Sequence, residues 1–96
     1  MFAHERIIRE NYRFLLDNLE ATNSGLHDKL YQDRVLSEEE KASISAENES
    51  FLQNEKLLSM LSRKTKDQFH VFLNALDTPG QRHIRDRLTN VEVSLP

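Results

Sequence analysis

Between Gln68 and Leu88 the apolar residues fall at a spacing that suits one backbone form. Phe69, Phe72, Leu73 and Leu76 recur at i, i+3, i+4 and i+7, which puts all four on one side of an α-helix. Pro79 and Gly80 end that element, and Ile84 and Leu88 offer a second, shorter apolar face. A helix with two phenylalanines and two leucines on one side has to bury that side. The rest of the chain must therefore supply matching faces.

It does so along most of its length. Ile8, Tyr12, Leu15, Leu16 and Leu19 share a side of a first segment, about Glu5–Leu19, with Ile7 nearby. A second, about Gly25–Asp33, opens after Ser24 as an N-cap and turns Leu26 and Leu30 inward. Val35 and Leu36 link it to a third, where Ser37 and Glu40 fit a capping box and the helix lasts to about Ala46. A fourth, about Phe51–Arg63, starts at another such pattern, Ser50 with Gln53, and buries Leu57, Leu58 and Leu61. Thr65 and Gln68 form a third box that opens the Phe69 helix, and a sixth segment runs from Gly80 or Gln81 to Leu88.

These spacings predict an all-α fold, six short helices joined by short loops into an antiparallel bundle. Its core is drawn from Ile8, Leu15, Leu19, Leu26, Leu30, Leu57, Leu61, Phe69, Phe72 and Leu76. Composition agrees. Two Gly and two Pro leave little turn chemistry for hairpins, and 96 residues make one domain. That domain is expected over residues 1–90, with 91–96 a C-terminal tail or the start of a linker.

Composition also removes several kinds of function. The chain has no Cys, so disulfides, thiolate metal sites and a thiol nucleophile are excluded. His4, His27, His70 and His83 show no paired spacing, so neither a metal nor another cofactor is expected. No nucleophile elbow or phosphate-cradling glycine loop is present, which argues against an enzyme. No apolar run approaches the length of a membrane span, and the N-terminus lacks a secretion signal, so a cytoplasmic protein is expected. A net charge of −3 argues against generic nucleic-acid binding.

The distribution of charge says more than its total. Residues 14–55 carry ten Asp/Glu against three Lys/Arg, a net of −7, whereas residues 56–87 carry seven Lys/Arg against three Asp, a net of +4. Residues 1–13 hold Arg6, Arg9 and Arg13 against Glu5 and Glu10, a net of +1. An acidic middle between basic ends suits head-to-tail association of protein surfaces.

Taken in order, the six segments resemble a caspase recruitment domain (CARD), a branch of the death-domain superfamily with a Greek-key helical bundle. The best stretch is Ser50-Phe51-x-Gln53-Asn54-x-x-Leu57-Leu58-x-x-Leu61, then Arg63-Lys64, then Phe69-x-x-Phe72-x-x-Ala75-Leu76. It is similar to initiator-caspase prodomains. Val35-Leu36-Ser37-Glu38-Glu39-Glu40-Lys41 and Asn74-Ala75-Leu76 resemble the N-terminal domain of apoptotic protease-activating factor, and Gly80-Gln81 recurs in some members. Many members place a Gly before the fifth helix, where this chain has Lys64-Thr65-Lys66. That departure alters the preceding loop.

The resemblance implies a domain without catalysis that binds another CARD-containing protein, whether initiator caspase, adaptor or scaffold. An acidic face on helices two and three meets a basic face on helices one and four, and repeated contacts build homo-oligomers or helical assemblies. Here the basic face is expected from Arg6, Arg9, Arg13, Lys56, Arg63 and Lys64, and the acidic face from Asp28, Asp33, Glu38, Glu39 and Glu40. On one continuous helix, Arg6, Arg9 and Arg13 fall within about 60° of each other. A second reading stands beside this one: Arg6 with Glu10 and Arg13 with Asp17 are i,i+4 pairs on a solvated face. Glu38–Glu40 likewise suit the positive end of a helix. Tyr12 and Glu55 sit where some caspase prodomains have Arg.

The resemblance implies two alternative functions, and the helical faces by themselves suggest a third. The first is recruitment and clustering of an initiator caspase or its adaptor in apoptosis signalling. The second is the CARD of an inflammatory or innate-immune sensor or adaptor. The third is a helical module that binds a peptide in an apolar groove, although the stripes read here are used by the core.

Overall fold

A computed structural model describes residues 3–22, 25–77 and 81–94, with side chains described at 4–22, 25–77 and 81–88. Every regular element in the described residues is helical: α1 (Ala3–Glu10), α2 (Tyr12–Asn18), α3 (Leu26–Gln32), α4 (Glu38–Ser45), α5 (Ser50–Leu61), α6 (Lys66–Ala75) and α7 (Arg82–Ser94). Helix α6 carries the Phe69 stripe and packs against α1, α3 and α7. Helix α5 packs against α2 and α4 on the other side. Phe69, Phe72, Leu73 and Leu76 are all buried, together with Ile7, Ile8, Leu15, Leu19, Leu26, Leu30, Ile44, Leu57, Leu58, Leu61, Ile84 and Leu88. The chain is an all-α helical bundle.

The first segment is two helices rather than one. Asn11 separates them with φ −111° and ψ 17°, away from helical values. Its side-chain Nδ2 donates to the Ile7 carbonyl at 2.9 Å, and its backbone N–H donates to the same oxygen at 3.2 Å. A side chain competing for the helical ladder in this way bends a helix. The break is held from α7: Arg87 Nε donates to Asn11 Oδ1 at 3.2 Å, and the guanidinium lies 4.1 Å from the centre of the Phe14 ring.

Two of the three capping boxes form. Glu40 N–H donates to Ser37 Oγ at 3.1 Å and Ser37 N–H to Glu40 Oε1 at 2.9 Å. Thr65 and Gln68 make the same reciprocal pair. At the head of α5 the box is absent, because Glu49 is the N-cap and Gln53 is committed elsewhere. Its Nε2 donates to the Glu47 carbonyl at 2.9 Å, and its Oε1 accepts from the Thr22 hydroxyl at 2.8 Å. The amide ties the α4–α5 loop to residues after α2.

Two helix ends also differ from expectation. The N-cap of α3 is Gly25, whose φ of +80° suits glycine; Ser24 lies outside the described residues. Helix α7 continues past Leu88 to Ser94, since Thr89–Ser94 contains no Gly or Pro to stop it. The Pro79-Gly80 stop lies outside the described residues.

Candidate functional site

The charged residues are placed by short elements with strong local reasons to form. Glu38, Glu39 and Glu40 occupy the first turn of α4, where the Ser37 cap fixes the start and the exposed N–H groups favour negative charge. Asp28 lies in the first turn of α3. Arg9 lies in the last turn of α1, near the negative end of that helix.

Most of these charges have partners within the chain. Asp28 Oδ1 accepts from Lys41 Nζ at 2.8 Å, joining α3 to α4, and the same ammonium sits 5.1 Å from the Tyr31 ring centre. That hydrogen bond holds the Asp28 carboxyl below its ordinary pKa and raises that of Lys41. Glu40 Oε1 accepts from Lys64 Nζ at 2.8 Å. Burial pushes the Glu40 carboxyl up, but hydrogen bonds from Lys64 and Ser37 outweigh it, and the net shift is downward. Lys56 Nζ bonds Glu47 at 2.8 Å and the Ser43 carbonyl at 3.2 Å.

The exposed pairs on single helices form as well. Arg6 meets Glu10 at 2.9 Å, Arg13 meets Asp17 at 3.3 Å, and Lys29 meets Asp33 at 3.6 Å. Such pairs contribute about 0.3–0.5 kcal/mol each. The break at Asn11 puts Arg6 and Arg9 on α1 and Arg13 on α2, so one helical wheel does not describe all three.

Of the residues expected on the two faces, four are left without an ion pair. Among the described residues, Arg9 and Arg63 have no carboxylate partner, and Glu38 and Glu39 form no ion pair with a cation. All four are exposed. Arg9 borders an open groove of about 450 Å³ between α1–α2 and α5, lined also by Glu5, Ile8, Tyr12, Leu58, Ser59 and Ser62. Burial raises the Tyr12 phenol's pKa, and nearby Glu55 adds to the shift. Glu38 and Glu39 lie on α4 instead. Arg9 on α1 and Arg63 just beyond α5 thus lie on other elements than Glu38 and Glu39, although Glu5, also without an ion pair among the described residues, shares α1 and the groove with Arg9.

Lys41 plays a part that spacing along the chain did not reveal. Its partner Asp28 is thirteen positions away on another helix, and no local pairing rule reaches so far. The described residues contain no cluster of three or more metal-ligating side chains and no helix long and apolar enough to cross a membrane.

No curated protein and no solved structure matches the chain. The family model described as caspase recruitment domain matches residues 5–91, nearly the whole length. Domains of this family are interaction modules that bind their own kind and are not catalysts. With a helical bundle and an apolar core behind that match, the chain belongs to the caspase recruitment domain family.

Proposed function

We propose that this CARD recruits and clusters an initiator caspase, or the adaptor that activates one, in the cytoplasm during apoptosis signalling. The observation that carries the reading is that Arg9 and Arg63 from the expected basic face, and Glu38 and Glu39 from the expected acidic one, are exposed without an ion pair among the described residues. Arg9 and Arg63 form the active part of a basic face, and Glu38 and Glu39 that of an acidic face. A partner with the opposite arrangement can neutralise either pair without first breaking an internal ion pair. Steering by such faces speeds encounter and makes it salt-dependent.

Arg6, Arg13, Lys56 and Lys64, and Asp28, Asp33 and Glu40, contribute less, because each already has a partner. The test is binding of the chain to an initiator-caspase CARD across a salt series. Arg9→Glu with Arg63→Glu, and separately Glu38→Lys with Glu39→Lys, should weaken association about tenfold or more with little change in melting temperature. If neither reversal affects association, the charge-face reading is wrong. Binding to an inflammatory adaptor's CARD, with none to the caspase CARD, would move the function to innate-immune signalling.

A further inference from the structure

Helix α4 contributes one buried side chain, Ile44, whereas every other helix buries two or more among the described residues. What else holds α4 in place is charge, supplied by three lysines. Lys64, just past α5, reaches Glu40 in the first turn at 2.8 Å. Lys41, on α4 itself, reaches across to Asp28 on α3 at 2.8 Å. Lys56 on α5 bonds the Ser43 hydroxyl at 3.1 Å and its carbonyl at 3.2 Å, and pairs with Glu47 just beyond the helix at 2.8 Å. The contacts span α4 from its first turn to its end.

These pairs lie between the surface and the core. Lys64 and Glu40 side chains are 20% and 27% exposed, and those of Lys56 and Glu47 are 37% and 29% exposed. Pairs of this kind are stronger than fully solvated ones and still weaken when salt screens them.

We propose that α4 is latched onto its neighbours by Lys41, Lys56 and Lys64, and that neutralising these lysines frees α4 as a local unit while the α6 core stays folded. Segments with few buried apolar contacts open below the global unfolding free energy. The consequence for recognition rests on the function proposed above: α4 carries Glu38 and Glu39, so loss of the lysine charges loosens the acidic surface a partner approaches.

Hydrogen exchange of the intact chain tests the latch with no partner present, so its result is independent of the binding experiment. In a Lys56→Gln, Lys64→Gln variant, the amides of Lys41–Ala46 should exchange about tenfold faster than in the parent. Those of Leu61, Phe72 and Leu76 should keep the parent's rate. Lys66→Gln is the control, since Lys66 is exposed and has no ion-pair partner among the described residues. Where the double variant is too unstable to purify, the parent in about 1 M NaCl should show the same selective acceleration. Exchange in α4 at the parent's rate, or equal acceleration of α4 and α6, overturns the proposal.

Discussion

Lys64 and Glu40, one from the basic end of the chain and the other from its acidic middle, are bound to each other at 2.8 Å. The same Glu40 oxygen also accepts the Ser37 N–H at 2.9 Å. A carboxylate expected to meet a partner's cation is instead occupied with closing a helix cap and holding a lysine. Glu39 precedes it in the chain and has neither task among the described residues.

The two neighbours should therefore respond differently to truncation. Glu40→Ala removes half of a capping box and leaves a largely buried lysine without its carboxylate, which should cost about 1–2 kcal/mol. Glu39→Ala should stay within about 0.5 kcal/mol of the parent. Urea midpoints at neutral pH, with unchanged slopes, measure both. Equal losses would mean that the Lys64 contact carries no weight.

Legibility in the sequence followed range. The Phe69 stripe and the Ser37 and Thr65 caps are contacts within a few residues, and periodicity reads them directly. Gln53 has the spacing of a capping residue but binds Thr22 and the Glu47 carbonyl, because a side chain takes the partner that tertiary packing brings. Asn11 reads as one more helical residue until Arg87, 76 positions away, is seen to hold its side chain. The charged faces were legible as composition and not as availability. Which charges remain free depends on pairs such as Asp28 with Lys41, joined across two helices.

Arg34 gives a prediction of opposite sign. It follows α3 with φ +66°, in the left-handed region where a Cβ is disfavoured. Its N–H donates to the Tyr31 carbonyl at 3.1 Å, and that of Val35 to Leu30 at 2.8 Å, closing the helix end as a glycine commonly does. Arg34→Gly should relieve that strain and, after the extra backbone entropy of glycine, stabilise the fold by about 0.5–1 kcal/mol. A lower melting temperature would show that the arginine side chain contributes more than its backbone costs.

Asn54 is 1% exposed, and its Nδ2 donates to the carbonyls of Leu16 at 3.0 Å and Leu19 at 2.7 Å. Those oxygens end α2 and have no following turn to donate to them. Asn54→Leu keeps roughly the volume but strands both acceptors, so it should cost about 2–3 kcal/mol. In a domain of this size that lowers the melting temperature by about 8–20 °C. Because Leu adds apolar surface, a loss cannot be assigned to a cavity. A neutral result would mean that water satisfies the two carbonyls.

Acid should weaken the fold through the same ion pairs. The Glu40 and Asp28 carboxyls lie below their ordinary values of 4.5 and 3.8. Each therefore stabilises the folded state fully above its unfolded pKa, and that contribution is lost as pH falls through the lower folded value. Lys41 lies above its ordinary 10.5, so its contribution is complete below that pH and is lost as pH rises through the folded value. Between about pH 6 and 9 these three groups should leave stability level. From about pH 5 to 3 the parent should lose stability. Glu40→Gln, less stable at neutral pH because it keeps no charge for Lys64, should lose less over that interval. Urea midpoints of both proteins at pH steps across it decide the matter. Parallel curves would mean that Glu40 titrates alike in the folded and unfolded chain.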